Sequence, residues 1–279
     1  MKKPRCLHPG EQPCRSVLLK VEYDGTRYHG WQRQPNAKTV EESILAALGT
    51  VFGTDIPIRA CSRTDAGVHA RGQIAQIRIP ETFPLNRLFF SLNSLLPKDI
   101  SILDMIEVDL DFLIGREHCG KLYVYRINNS PIPKAIHGEY YWWIKKRLDI
   151  ASMRESAQFL VGTHDFSAFR GKGCTQHKLI KTIRQIRVSE SCRSVYRHIE
   201  FSVEGSGFLK NMIRIMVGTC IDIACGRLKS DAIEKALKSG LRSDAGQTAP
   251  AKGLMLEQVF LKNDPFLERT REAWNKPLS

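Results

Sequence analysis

Residues 55–79 have the sequence "DIPIRACSRTDAGVHARGQIAQIRI", in which two apolar runs enclose a charged segment. The runs "DIPIRAC" and "GQIAQIRI" are rich in isoleucine and predict two β-strands. The segment "CSRTDAGVHARGQ", residues 61–73, connects them. It combines arginine, aspartate, glycine and histidine, whereas a simple connection needs only a turn such as Asp-Ala-Gly. This loop therefore requires an explanation from folding or from chemistry.

Asp65 is the notable residue of this loop, because it is the only carboxylate in residues 56–80. Arg59, Arg63 and Arg71 surround it in the sequence. A neighbouring arginine would keep the Asp65 carboxylate ionised at neutral pH, as a nucleophile or a base requires. The spacing fits two interpretations equally: a salt bridge that stabilises the loop, or a catalytic carboxylate.

The other polar and glycine residues of the loop have simpler interpretations. Gly67 and Gly72 allow the backbone to turn tightly or to approach a ligand closely. His69 is of a type that serves as a base or a metal ligand, but a structural hydrogen bond is the preferred interpretation.

Elsewhere the chain predicts the same order of elements in each half: strand, helix, strand, strand, helix. In the first half, Thr39 and Glu42 form a capping box, and apolar residues then recur at helical spacing from Val40 to Val51. Further elements are predicted at residues 16–25, 84–96, 99–110, 121–127, 149–160, 179–189, 195–205, 207–224, 230–240 and 253–261. The pattern predicts an α+β fold with helices on one face of a mainly antiparallel sheet.

We place the domain bounds in the segments that interrupt this pattern. The predictions are an N-terminal tail at 1–15, an N-terminal α+β half at 16–112, a C-terminal α+β half at 113–264 and a C-terminal tail at 265–279.

The composition indicates a polyanionic partner. The chain of 279 residues has a formal net charge of +13, and nucleic acid is the commonest polyanion that such proteins bind. Residues 170–197 contain eight lysines or arginines against one acid, Glu190. This segment is either an ordinary solvated face or a surface that contacts phosphates, and its one-sided charge favours the second interpretation.

The chain has eight cysteines without a CxxC pair, which favours reduced thiols over a disulfide framework. No apolar run approaches the roughly 18 residues of a membrane-spanning helix, and the N-terminus lacks the apolar region of a secretory signal. We therefore expect a cytoplasmic protein.

Six motifs identify the chain as similar to the tRNA pseudouridine synthase A family. They are "GWQRQ" (30–34), "RTDAGVHA" (63–70), "YVYRI" (123–127), "DFSAFR" (165–170), "NMIRIMVG" (211–218) and "TAPAKGLML" (248–256). The resemblance covers roughly residues 16–262. It implies an isomerase that converts uridine to pseudouridine at positions 38, 39 and 40 of the tRNA anticodon stem-loop, without metal or organic cofactor.

The resemblance also implies a fold and an assembly. We expect two ferredoxin-like or RRM-like halves that form an extended, mainly antiparallel sheet, with helices on one face and a central basic cleft. The family is homodimeric, so we expect a homodimer that binds tRNA.

Roles for individual residues follow from the same resemblance. Asp65 matches the catalytic aspartate, Arg63 the arginine that holds the flipped RNA, and Tyr123 the tyrosine that packs on the uracil. Arg214 lies in an apolar segment, where a buried arginine needs a carboxylate, and the resemblance makes Asp65 its partner. Contacts to RNA are predicted for four basic residues, namely Arg116, Arg170, Lys172 and Lys178.

One departure from the family pattern affects these contacts. Where the family carries a FHAR-like segment, this chain has Phe112 followed by Gly115 in the place of the arginine. Arg116 and His118 are the adjacent residues that would compensate.

Two other functions fit parts of the sequence. A catalytically silent RNA-binding protein of the same fold would explain the charge, but not the retention of Arg63, Asp65, Tyr123 and Arg214 together. A metal-dependent nuclease that used Asp65 and His69 would need the clustered carboxylates that bind Mg²⁺, and the sequence lacks them.

Overall fold

The structure of this protein, a computed structural model, describes residues 13–267. Within that range the chain divides into two units. We call them the first unit, residues 13–119 and 258–267, and the second unit, residues Gly120–Glu257.

The first unit has a ferredoxin-like arrangement. Its elements are β1 (Cys14–Tyr23), α1 (Val40–Phe52), β2 (Ile58–Ala60), β3 (His69–Pro80), α2 (Leu85–Leu95), β4 (Ile100–Val108) and the short α3 (Ile114–Glu117). The strands lie in the order β4-β1-β3-β2, and each neighbouring pair is antiparallel. This is the β-α-β-β-α-β unit that the strand and helix order predicted.

Local signals set the bounds of these elements. Helix α1 begins after Thr39, whose side chain accepts a hydrogen bond from the Glu42 amide at 3.3 Å, and it ends at Gly53 with φ of 67°. Helix α2 begins after Pro84. Thr39, the capping residue that predicted α1, therefore occupies the expected position.

The core of the first unit follows the alternation of its central strands. Val17 lies opposite Ile77, and Leu19 lies opposite Ala75, on one face of the sheet. All four side chains are buried. Because alternate residues share a face, this register fixes which side chains of β3 enter the core.

The second unit repeats the same class of fold with additional strands. Its elements are β5 (His118–Asn128), β6 (Trp142–Trp143), α4 (Ile150–Gln158), β7 (Gly162–Asp165), β8 (Ile180–Arg193), β9 (Tyr196–Gly205), α5 (Met212–Ala224), α6 (Ala232–Ser239) and the start of β10 (Leu254–Leu261). The first two residues of β5 and the last four of β10 belong to the first unit. Strands β5, β9, β8 and β7 are neighbours in that order and antiparallel, β6 pairs in parallel with β5, and β10 lies beside β5. The predicted α+β class and mainly antiparallel sheet are confirmed.

Several element bounds differ from the sequence prediction. Strand β3 begins at His69, so the last part of the charged loop is already strand. Helix α5 begins only at Met212, because Asn211 has a left-handed φ of 58° that a helix cannot include. Strands β6 and β7 were not predicted, since Trp142–Trp143 and Gly162–Asp165 are too short to give a periodic pattern.

The division of the chain differs from the predicted domain bounds in two places. Residues 113–119 lie in the first unit, and residues from Gln258 onward return to it. Strand β1 begins at Cys14, inside the predicted tail 1–15. Most of the two predicted tails, residues 1–12 and 268–279, lies outside the described residues.

The cysteines are mostly free thiols. Of the seven cysteines in residues 13–267, six are free thiols, but Cys14 is disulfide-bonded, so the prediction of reduced thiols is wrong for this residue. Within residues 13–267 every helix is too short or too polar to cross a membrane.

Candidate active site

The connection between β2 and β3, residues 61–68, carries the predicted catalytic carboxylate, and we call it the Asp65 loop. Its first residue donates its amide proton to the carbonyl of Ile74 at 2.8 Å. The side-chain amide of Gln73 accepts from the Ser62 amide at 3.2 Å and donates to the Ser62 carbonyl at 2.6 Å. These hydrogen bonds attach the start of the loop to β3.

The middle of the loop is attached to the segment that follows β1. The amide of Trp31 donates to the carbonyl of Thr64 at 3.2 Å, and the amide of Gly67 donates to the carbonyl of Tyr28 at 3.1 Å. The hydroxyls of Thr64 and Tyr23 lie 2.8 Å apart. The backbone on both sides of the carboxylate is therefore held in place, which a reacting group needs.

Two glycines make this close approach possible. A Cβ atom on Gly25 would lie 2.0 Å from the carbonyl oxygen of Val68. A Cβ atom on Gly30, which has φ of 91°, would lie 2.5 Å from the carbonyl oxygen of Thr64. Sequence reasoning gave neither glycine a role, although the position of Gly30 at the start of "GWQRQ" was a usable signal.

The loop exposes its arginine and buries its two hydroxyl side chains, those of Ser62 and Thr64. Arg63 is exposed, Thr64 is buried and Asp65 is half-buried. The amide of Val68 donates to the carbonyl of Asp65 at 3.1 Å, and Gly67 has φ of 75°, which closes a turn directly after the carboxylate. A half-buried carboxylate on a fixed turn is accessible to a ligand and limited in its orientations.

His69 has a structural environment. Its ring is 1% exposed, and its Nδ1 lies 3.1 Å from the amide nitrogen of Gly25 and 3.0 Å from Oδ1 of Asp24. The ring thus joins the start of β3 to the turn after β1, which agrees with the preferred interpretation. Within residues 13–267, no three His, Cys, Asp or Glu side chains are grouped as a metal site.

Tyr123 lies in β5 of the second unit. It is 5% exposed, stands opposite Val203 of β9, and meets the ring of Phe208 edge to face at a centroid distance of 5.3 Å. Edge-to-face packing is a favourable arrangement of two aromatic rings, so this contact helps to hold the tyrosine in place.

Arg214 lies in the first turn of α5, where it is half-buried. Its Nε donates to the carbonyl of Ala249 at 2.7 Å, and its Nη1 donates to Oδ1 of Asn211 at 2.9 Å. Neutral oxygens thus satisfy part of this guanidinium, which corrects the premise that it is fully buried and needs a carboxylate. Its pairing with Asp65 stays a prediction.

The segment that holds Arg214, residues 246–250, is itself fixed by a buried carboxylate. Asp222 accepts from the Gln247 amide at 2.9 Å and from the Gln247 side chain at 2.7 Å, and it forms an ion pair with Arg227 at 2.6 Å. Sequence reasoning missed Asp222, although an acid inside the apolar run "MIRIMVGTCIDIA" was a signal.

The far end of the same segment is held by a tyrosine. The hydroxyl of Tyr125 donates to the carbonyl of Pro250 at 2.7 Å. Burial raises the pKa of Tyr125, so this donor keeps its proton.

Comparison with known proteins identifies the family. The sequence model described as "tRNA pseudouridine synthase" matches residues 20–114 and 156–260. A tRNA pseudouridine synthase A from Acetivibrio thermocellus is 41% identical over 246 residues, which cover 88% of this chain and 99% of that protein. The corresponding protein of Clostridium kluyveri is 40% identical over the same shares, and tRNA pseudouridine synthase A 2 of Clostridium tetani is 42% identical over 88% of this chain and 98% of its own.

The chain belongs to the tRNA pseudouridine synthase family. It is therefore an isomerase that acts on uridine in tRNA. The family membership that the six motifs indicated is confirmed.

The predicted RNA-binding residues of this synthase lie in both units. Arg116 lies on α3 of the first unit and is exposed. In the second unit, Arg170, Lys172 and Lys178 are exposed in the segment between β7 and β8. Burial, together with the nearby charge of Lys178, lowers the pKa of Lys181.

Not all of the charge in residues 170–197 is available to a phosphate. Arg184 lies 3.3 Å from Glu204, and Arg197 lies 2.7 Å from Glu190. At least two of the eight basic residues are thus ion-paired within the second unit, so fewer of them are available to a phosphate than the sequence count indicates.

Proposed function

We propose that this synthase converts uridine to pseudouridine at positions 38, 39 and 40 of the tRNA anticodon stem-loop, with Asp65 as its catalytic residue. The observation that carries the proposal is the position of Asp65 on a turn that the fold holds in place. Its carboxylate is half-buried on a turn whose neighbouring backbone is hydrogen-bonded on both sides. The RTDAG motif that contains it supplies the family resemblance.

The reaction is an isomerisation whose atoms balance without a further reactant. The N1–C1′ bond breaks, the uracil turns while it stays bound, and a C5–C1′ bond forms. C5 then loses its proton, and N1 ends with one. A carboxylate serves this sequence by attacking the sugar, by attacking the base, or by removing a sugar proton to give a glycal. In each case Asp65 must be ionised and must reach the nucleotide.

The other assigned residues act before and around that step. The target base is stacked in RNA, and flipping it out costs a few kcal/mol. We assign Arg63, which is exposed on the same loop, to hold the flipped state, and Tyr123 to pack against the uracil. We assign Arg214 to orient the Asp65 carboxylate. Arg116, Arg170, Lys172 and Lys178 contribute phosphate contacts.

We further propose that the enzyme acts in the cytoplasm as a homodimer. The family resemblance supports both statements. Light scattering of the purified protein tests the second one, since a monomer mass at micromolar concentration contradicts it.

The decisive experiment incubates purified protein with an unmodified tRNA transcript and maps pseudouridine. We expect product in the anticodon arm with the wild type and none with Asp65→Asn. Asp55→Asn is a matched control, because Asp55 is exposed, lies before β2, and loses the same charge. This control should retain wild-type activity.

Three outcomes contradict the proposal in different ways. The absence of product with the wild type favours the silent RNA-binding protein. Product outside the anticodon arm refutes the assigned positions. Loss of product in EDTA means that a metal takes part.

A further inference from the structure

A surface cavity of about 460 Å³ lies in the first unit, beside the Asp65 loop. Its volume is within the range of about 300–1,000 Å³ that is typical of sites for small molecules. Three arginines from three separate segments line it, namely Arg59 of β2, Arg63 of the loop and Arg116 of α3. We call it the arginine cavity.

The cavity has an excess of positive charge. All three arginines are exposed at its wall. The one carboxylate in the lining is that of Glu41, whose Oε2 accepts a hydrogen bond from the Arg33 amide at 2.6 Å. Three guanidinium groups and one carboxylate give the lining a formal charge of +2, which favours the binding of an anion. Guanidinium groups match the geometry of phosphate oxygens.

The base of the cavity is apolar. Trp31, Ile58 and Ile114 line it, and each is at most 9% exposed. A charged rim over an apolar base suits a ligand with one anionic part and one flat, weakly polar part. A nucleotide has this composition, because its phosphate is anionic and its base has an apolar face.

We propose that the arginine cavity binds a nucleotide of the tRNA strand next to the target uridine, with its phosphate on the three arginines. Arg63 connects the two places, since it lines the cavity and precedes Asp65 by two residues. Two residues span at most about 7 Å of chain, so a nucleotide in the cavity is a close neighbour of one at Asp65. The inference rests on the proposed function, because it assumes that the target nucleotide lies at Asp65.

The departure at Gly115 has an explanation in this cavity. Gly115 and Arg116 both line it, so Arg116 supplies a guanidinium one residue after the position where the family pattern has its arginine. A Cβ atom on Gly115 would meet no atom within 4 Å. A side chain at this position would therefore begin in open space.

The test measures the binding of an RNA hairpin with the anticodon-arm sequence at several salt concentrations. The variants Arg59→Gln and Arg116→Gln each remove one charge, and Gly115→Glu adds an opposing one. Arg87→Gln is the control, because Arg87 is exposed on α2 and is not part of the lining. Thermal unfolding of each variant verifies that it is folded.

Each arginine variant removes one of the three guanidinium groups from the phosphate. This should lower the slope of log affinity against log salt by up to about 0.7, the value for one lost phosphate contact, which corresponds to up to about fivefold weaker binding at roughly 0.1 M salt. Gly115→Glu should weaken binding at least as much, and Arg87→Gln should leave the slope unchanged.

The outcomes separate the two proposals. If the wild type forms pseudouridine but Arg59→Gln, Arg116→Gln and Gly115→Glu all bind like Arg87→Gln, the arginine cavity is not an RNA site. If the wild type forms no pseudouridine, the proposed function fails instead.

Inorganic phosphate distinguishes an RNA site from a site for free anions. At equal ionic strength, phosphate should displace the hairpin from the wild type more than chloride does, and Arg59→Gln should remove this difference, because both ligands would use the same guanidinium groups. Phosphate binding that is lost in Arg59→Gln but does not displace the hairpin from the wild type would overturn the assignment to RNA.

Discussion

The Asp65 loop and residues 246–250 are two fixed segments that are held by different kinds of contact. The hydrogen bonds described for the Asp65 loop join neutral groups: backbone amides to carbonyls, the Gln73 amide and two hydroxyls. Residues 246–250 are held largely by ionised side chains, those of Asp222 and Arg214. The first arrangement depends on how closely two backbones approach, and the second depends on where two charges lie.

Both segments also contact a glycine, so the difference is one of degree. Gly30 allows the approach of the Thr64 carbonyl, and a Cβ atom on Gly218 of α5 would lie 1.9 Å from the carbonyl of Gln247. The comparison therefore predicts that changes in side-chain size damage the Asp65 loop most. Changes in charge, or in the planar guanidinium group of Arg214, should damage residues 246–250 most.

Gly30→Ala should have the largest effect. The added Cβ would lie 2.5 Å from the Thr64 carbonyl oxygen, and φ of 91° is unfavourable for alanine. The Asp65 loop must then move, and a displacement of about 1 Å can reduce turnover about 100-fold. Pseudouridine formation under single-turnover conditions measures this loss. Wild-type turnover in folded Gly30→Ala would mean that the loop does not need this contact.

Arg214→Lys should come next, with turnover reduced at least about tenfold and RNA affinity little changed. Lysine keeps the charge but loses the planar fork that donates to both the Ala249 carbonyl and Asn211 Oδ1. Turnover and hairpin affinity are measured separately. Arg154→Lys is the matched control, because Arg154 also donates its Nε to a backbone carbonyl, that of Val188 at 2.9 Å, elsewhere in the second unit. A purely electrostatic role would be revealed by full activity in Arg214→Lys.

The sequence predicted the elements that have periodic or capping signals, and it located the Asp65 loop through a specific motif. Thr39 and Glu42 lie within the first turn of their own helix, so their effect is visible locally. The roles of Gly30 and Asp222 depend on partners that lie 34 and 25 residues away, Thr64 and Gln247. No local pattern encodes such a contact, so these residues became identifiable only in the folded chain.

Asp222→Asn should have a smaller effect on activity and a clear effect on stability. An amide retains one acceptor but cannot accept from both groups of Gln247 and also pair with Arg227. We expect a loss of about 1–3 kcal/mol in the free energy of unfolding, because a buried group loses its hydrogen-bond partner. Urea denaturation measures it. Unchanged stability would show that residues 246–250 do not depend on this carboxylate.

Gly49→Ala should have the smallest effect and the opposite sign. Gly49 lies inside α1 of the same unit as Gly30, and a Cβ atom there would meet no atom within 4 Å. Because glycine is a poor residue for a helix interior, alanine should raise the free energy of unfolding by about 0.5–1 kcal/mol and leave turnover unchanged. Urea denaturation and the single-turnover assay measure the two quantities. If Gly49→Ala reduced turnover as Gly30→Ala does, the damage would come from any alanine in this unit. The contact between Gly30 and Thr64 would then have no special part in holding Asp65.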